Sequence, residues 1–225
     1  MESGRLEIVP TPIGNLGDIT TRAIEVLSSC DLILAEDTRT TGNILRHLGL
    51  DKPLKSFHLH NEHKAVGSIV DALSSGLHYA LCSDAGTPGI SDPGFLLVRA
   101  CVEAGVEVSC LPGATAFVPG LVVSGIPCDR FIFEGFLPHK KGRQKRLQAM
   151  ILEERTIVLY ESPHRILKLL QELVNYECGS RKVAVCRELS KLHEEVIRGT
   201  VNDALDHFTQ TSPKGEFVVV LEGAV

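Results

Sequence analysis

Residues 78–91, His78-Tyr79-Ala80-Leu81-Cys82-Ser83-Asp84-Ala85-Gly86-Thr87-Pro88-Gly89-Ile90-Ser91, join a short apolar run to a loop of small residues, Gly and Pro. An apolar run of this length bounded by turn residues reads as a buried strand, and the amphipathic stretch after it, Asp92 to Ala104, reads as a helix. Strand, Gly/Pro loop and helix in that order form part of a parallel βα unit. Asp92-Pro93 has the chemistry of an N-cap followed by a first-turn proline.

The same pattern recurs on both sides of this stretch. Leu6 to Val9 reads as a strand, Thr11 to Asp18 as its loop and Thr20 to Leu27 as the helix. Leu32 to Ala35 is a second strand, followed by a helix over Thr38 to Leu48. Val106 to Cys110 runs into Leu111-Pro112-Gly113-Ala114-Thr115, which opens a further helix. The alternation predicts an N-terminal Rossmann-like α/β domain, a mostly parallel sheet with helices on both faces. After Pro127 the strands Arg130–Phe133, Thr156–Tyr160, Lys182–Cys186, Glu194–Arg198 and Glu216–Leu221 outnumber the helices between them. That predicts a C-terminal α+β domain with a mixed or antiparallel sheet. Ser162-Pro163 reads as one helix start there, and Thr200-x-x-Asp203 as a capping box. The boundary falls near residue 115, giving domains 1–114 and 115–225.

Composition narrows the function classes. The 225 residues carry 23 Lys and Arg against 28 Asp and Glu, a net charge of −5. A protein held to nucleic acid by phosphate attraction over its whole surface is therefore excluded, and any RNA or DNA contact is expected to be a local patch. Hydrophobic residues at 44% and charged residues at 23% exclude a disordered, collagenous or coiled-coil chain. Seven cysteines, an odd number with no C-x-x-C pair, read as free thiols in a reducing compartment. Met1 to Pro10 has no apolar signal region, and no stretch approaches the ~20 apolar residues of a membrane span. A cytoplasmic protein without membrane contact is expected.

Parallel strands place all three Gly/Pro loops (11–18, 83–91 and 111–115) at one carboxyl edge, where such sheets bind ligands. Neither G-x-G-x-x-G nor G-x-x-x-x-G-K-[ST] occurs, so a nucleotide-like ligand is held some other way. His58, His60 and His63, in H-x-H-x-E-H spacing, offer a rival zinc-hydrolase reading, set against a polar loop lining a cleft. The run from His139 to Arg146 packs Lys140, Lys141, Arg143, Lys145 and Arg146 into an otherwise acidic chain, and reads as either an RNA phosphate contact or a solvated face. Two mixed clusters, Glu161-Ser162-Pro163-His164-Arg165 and Arg187 to Glu195, are candidates for proton transfer or for ribose and phosphate positioning.

Thr11-Pro12-Ile13-Gly14-Asn15-Leu16-Gly17-Asp18, Glu36-Asp37-Thr38-Arg39, Ser83-Asp84-Ala85-Gly86-Thr87-Pro88, Asp92-Pro93-Gly94, Leu111-Pro112-Gly113, Glu134 to Pro138 and Glu161 to Arg165 occur in that order. Together they resemble the bacterial 16S rRNA cytidine 2′-O-ribose methyltransferases of the tetrapyrrole-methylase-like superfamily, over nearly the whole chain. The resemblance implies S-adenosylmethionine as cofactor in a cleft between two α/β domains, a homodimer, and methylation of a ribose hydroxyl in the decoding region of the small ribosomal subunit, with no DNA partner. It implies cofactor contacts at Pro12, Cys82, Ser83, Asp84, Ala85, Gly86, Thr115, Ala116, Tyr160 and Glu161. Glu188 or Glu161 is then expected to take the proton, with Lys191, Arg39 and Arg165 placing phosphates or polarising the hydroxyl. The superfamily also admits a tetrapyrrole substrate, although the Thr-Pro-Ile-Gly-Asn and Glu-Ser-Pro-His-Arg motifs fit the RNA branch better. Many members carry a C-terminal helical extension, whereas the sequence ends at Val225, so RNA affinity is expected to rest on residues 139–146.

Overall fold

In the computed structural model, which describes residues 4–224, the chain forms two units, one ending at Thr115 and the other beginning at Ala116. The first holds β1 (Arg5–Ile8), β2 (Leu32–Ala35), β3 (Leu54–Ser56), β4 (His78–Cys82) and β5 (Glu107–Cys110), all parallel, in the order β3-β2-β4-β1-β5. Its helices are α1 (Thr21–Ser29), α2 (Thr38–Leu48), α3 (Glu62–Ser74) and α4 (Phe95–Glu103). Successive strand residues point to opposite faces. Leu6, Ile8, Leu34, Tyr79 and Leu81 accordingly pack with Ile69 and Leu73 of α3 and Leu97 and Cys101 of α4. Val9, Ile33, Ala80 and Cys82 pack with Ala23 and Leu27 of α1 and Leu45 of α2. Both faces of the sheet are covered, as its near-continuous apolar strands require.

One local expectation holds over most of its length and one gives way. His58 to Asn61 form the loop between the short edge strand β3 and α3, and Glu62 and His63 open that helix. Asp92-Pro93 does not cap α4. The Gly89 amide donates to the Pro93 carbonyl at 3.1 Å, and the helix starts two residues later with Gly94 as N-cap. Gly94 has φ +142°, and a Cβ there would lie 3.2 Å from the Leu81 side chain, so glycine lets this turn fold back on β4.

The second unit holds β6 (Phe131–Phe136), β7 (Thr156–Glu161), β8 (Lys182–Arg187), β9 (Glu195–Thr200) and β10 (Phe217–Leu221), in the order β6-β7-β10-β8-β9. The β6–β7 pair is parallel and the other pairs are antiparallel. Helices α6 (Arg143–Ile151), α7 (Ile166–Asn175) and α8 (Val201–Gln210) bury Leu147, Met150, Leu169, Leu170, Leu173, Ala204 and Phe208 against Ile157, Leu159, Val185 and Val219 of this sheet. Thr200 and Asp203 form the capping box of α8. Ser162-Pro163 instead makes a turn ahead of α7, where the Ser162 carbonyl accepts from the Arg165 and Ile166 amides.

The remaining helix of this unit, α5 (Phe117–Ser124), packs on β10 and its neighbours through a glycine. A Cβ on Gly120 would sit 2.7 Å from Val218 Cγ1. Gly120→Ala is therefore expected to cost about 1–3 kcal/mol by overpacking. Urea unfolding would check it, and an unchanged midpoint would show that Val218 yields freely. Among the described residues, no helix is long and apolar enough to cross a membrane.

Candidate functional site

In the first unit β1 and β4 are hydrogen-bonded neighbours, yet their following helices cover opposite faces of the sheet. This is a topological switch point, and the crevice beyond the carboxyl ends of such strands is the ligand site of open α/β sheets. The two loops that leave it are tied together. Thr11 and Gly86 exchange backbone hydrogen bonds of 2.9 Å in both directions, and Thr11 Oγ1 donates to the Ser83 carbonyl at 3.0 Å. Gly86 has φ +85°, a conformation that favours glycine, and a Cβ there would lie 3.6 Å from Ile13 Cγ2. The third loop joins in, since Thr87 Oγ1 donates to the Ala114 carbonyl and Gly113 lies so close to Pro10 that a Cβ would come within 2.6 Å of its ring. Pro12, Ser83 and Gly86 are buried, while Asp84 and Ala85 face outward and Thr115 is half-buried. The Cys82 side chain is wholly in the core, and burial pushes its thiol up to about 12. Only its backbone is available to a ligand, and its carbonyl already accepts from the Glu36 amide at 3.3 Å.

The same edge gathers carboxylates that sequence spacing does not bring together. Asp84 Oδ1 accepts from the Asp37 amide at 3.1 Å, and Glu36 Oε2 accepts from the Asp84 amide at 3.3 Å. Burial pushes the Glu36 carboxyl up, with repulsion from Asp84 adding to it; burial likewise raises Asp84, with repulsion from Asp37. Arg39 is exposed and chelated by its neighbour Asp37, whose carboxyl its hydrogen bonds hold down at about 2. Two carboxylates with raised pKa values and one cation already engaged leave an edge that favours a positively charged ligand.

The histidine motif forms no metal nest. His58 Nδ1 accepts from the His60 amide at 3.2 Å, the two rings stand edge to face at 5.8 Å, and Glu62 is buried at the start of α3. Among the described residues, no three or more His, Cys, Asp or Glu side chains are grouped to hold a metal ion.

In the second unit, strand register brings the polar clusters to one sheet edge. Phe136 stands opposite Tyr160, Phe217 opposite both Glu161 and Arg187, and Arg187 opposite Glu195. Ala116 is the N-cap of α5, and the Phe117 amide donates to the Tyr160 hydroxyl at 3.2 Å. Glu161 is 1% exposed, with Oε1 taking the Ser162 amide and Arg165 Nη2, each at 2.8 Å. Arg165 also donates to the Leu137 carbonyl at 3.0 Å. Glu188 Oε1 accepts from Lys191 Nζ at 2.8 Å and from the Glu216 amide at 2.9 Å.

The basic run divides. Arg143 is buried, 3% exposed, and its guanidinium grips Glu172 of α7 with Nη2–Oε2 at 2.6 Å. Arg146 pairs with Glu134. Lys140, Lys141 and Lys145 stay exposed. The Glu36–Asp84 and Arg143–Glu172 partnerships span 48 and 29 positions, and no spacing rule reaches that far.

A family model described as Tetrapyrrole (Corrin/Porphyrin) Methylases matches residues 5–205. A protein of Synechocystis sp. named ribosomal RNA small subunit methyltransferase I is 52% identical over 98% of this chain and 80% of its own length. A protein of the same name from Thermotoga maritima is 47% identical over 98% of this chain and 99% of its own. Among solved structures, the methyltransferase CobJ superposes with a TM-score of 0.73 at 19% identity, covering 99% of this chain and 95% of that one. Uroporphyrin-III C-methyl transferase from Thermus thermophilus, complexed with S-adenyl homocysteine, gives a TM-score of 0.66 at 16% identity and 97% coverage of each chain.

Proposed function

Because the chain belongs to the tetrapyrrole (corrin/porphyrin) methylase family, we propose that it is an S-adenosylmethionine-dependent rRNA methyltransferase acting on the 2′-hydroxyl of a cytidine ribose in the decoding region of the small ribosomal subunit. The observation that carries this reading is the β1/β4 switch point, lined by backbone and small residues and bordered by Glu36 and Asp84. That lining suits a compact cationic cofactor, and it supplies a site without a glycine fingerprint. The names of relatives at 47–52% identity support an rRNA substrate over a tetrapyrrole, since the uroporphyrin-III C-methyl transferase shares the fold at only 16% identity.

When bound, S-adenosylmethionine supplies an electrophilic methyl on a sulfonium sulfur. The chain's own task is to align the ribose oxygen and remove its proton, and positioning alone is worth roughly 7–11 kcal/mol in well-oriented pairs. Within the first unit we assign cofactor contacts to Pro12, Ser83, Asp84, Ala85 and Gly86, to the Cys82 backbone and to Thr115. Glu161, buried and held by Arg165, positions the Ser162–Arg165 turn. Glu188 is the proposed proton acceptor, with Lys191 beside it.

The test is transfer of a labelled methyl from S-adenosylmethionine to small subunits that lack native methylation, followed by digestion to nucleosides. Label in 2′-O-methylcytidine is expected. Failure to label RNA, with transfer to a tetrapyrrole, would overturn the assignment.

Asp84→Asn separates binding from stability. Its raised carboxyl means that the native state holds the proton more tightly, so stability is lost as pH rises from the ordinary carboxylate range through the raised value. Asparagine removes that penalty and keeps an acceptor for the Asp37 amide. An unchanged or higher Tm at neutral pH is expected, with cofactor affinity lower by about tenfold. Calorimetry showing wild-type affinity would take Asp84 out of the cofactor site.

A further inference from the structure

Residues 139–145 and two positions of α7, Lys168 and Glu172, line a cavity of about 540 Å³ in the second unit. Its lining residues include four lysines, Lys140, Lys141, Lys145 and Lys168, together with Arg143, His139 and a single acidic residue, Glu172. Five cationic side chains against one carboxylate make a local excess of positive charge in a chain whose net charge is −5. The lone carboxylate does little to relieve it, being engaged by Arg143, with Lys168 Nζ 3.9 Å from its other oxygen.

What distinguishes this cavity from a solvated charged face is its floor. Arg143 binds Glu172 from α6 to α7 and also donates to the Pro138 carbonyl at 3.3 Å, which fixes the loop that carries Lys140 and Lys141. Helix α6 begins at this cavity with Gly142 as N-cap, at φ +87° and without a capping side chain. The lysines are point charges on flexible stems, suited to phosphate oxygens rather than to base edges.

We propose that this cavity is a phosphodiester-binding pocket for the RNA strand, with Lys168 acting alongside Lys140, Lys141 and Lys145. Arg143 forms its floor, and Arg146 stays with Glu134. The proposal rests on the rRNA-methyltransferase reading and adds a residue outside the basic run. The pocket positions the strand without reading its sequence.

The test measures binding of a single-stranded RNA covering the decoding region as a function of salt, together with KM and kcat on small subunits. Each lost phosphate contact lowers the salt slope by about 0.7 on a single strand. Lys168→Ala is expected to lower it by about that much, and replacement of all four lysines by about 3, with affinity down at least tenfold. KM for subunits rises, while kcat at saturation and cofactor affinity stay at wild type. Lys64→Ala, on α3, serves as the control with an unchanged slope. Lysine variants that keep the wild-type slope and KM overturn the pocket while wild-type methylation stands. Loss of inorganic phosphate binding with RNA affinity intact gives the pocket to a free phosphate and overturns it as well. A wild-type protein that transfers no methyl to RNA overturns the reading beneath both.

Discussion

Arg143→Ala is expected to destabilise the second unit by about 3–5 kcal/mol, the cost of removing one partner of a buried ion pair. Its side chain is 4% exposed and that of Glu172 22%, so the carboxylate left behind regains only part of its hydration. The loop carbonyl of Pro138 loses a donor, and the guanidinium 3.9 Å from buried Glu161 disappears as well. Set against a typical domain stability of about 5–15 kcal/mol, such a loss is a large fraction of the whole. Replacing both partners, Arg143→Met with Glu172→Leu, is expected to recover most of it, because apolar residues of similar volume leave no charge stranded. Urea unfolding of the two variants decides the matter. A single variant within 1 kcal/mol of wild type would mean that Glu172 and Glu161 are adequately served by Lys168 and Arg165.

That ion pair also marks where sequence reading stops. Strand β2 and helix α2 fall on their predicted residues because local chemistry marks their ends: Asp37 caps α2 through the Arg39 amide, and Gly49, at φ +68°, closes it. The carboxyl-edge loops were legible for a related reason, since parallel strands leave their loops no other edge. Strand β3 is three residues long at the sheet edge with two of them exposed, too short for any periodicity to show. Helix α3 does carry a helical pattern in Ala65, Val66, Ile69, Val70 and Leu73. His58, His60 and His63, just before and at its start, make the beginning of that pattern polar. A charge run reads the same whether its members are solvated or buried, and only the fold separates Arg143 from Lys145.

Glu188→Gln is expected to lower kcat by 10²–10⁴, the usual worth of a general base and about 3–5 kcal/mol of barrier, with cofactor affinity unchanged. The loop is built around this side chain. Glu188 and Ser190 take left-handed backbone at φ +52° and +65°, and a Cβ on Gly215 would come within 2.4 Å of the Glu188 carboxyl carbon. Non-glycine residues hold such conformations at a cost of about 1–3 kcal/mol each, and they cluster at functional sites. Partial burial pushes the Glu188 carboxyl up, but the Lys191 ammonium and the Glu216 amide together outweigh it and hold it below its ordinary value. The carboxylate is thus ionised at neutral pH and remains so into the acid range. Because the folded value is depressed, its contribution to stability is present above the ordinary carboxylate range and lost as pH falls through the lowered value. The stability gap between wild type and Gln is therefore expected to close in acid. Glutamine keeps an acceptor for both donors, so near-wild-type folding at neutral pH with a collapsed kcat identifies Glu188 as the proton acceptor. A kcat within threefold of wild type on small subunits, at saturating cofactor, removes it from that role and leaves it as the residue that holds Lys191 and the 187–194 loop in place.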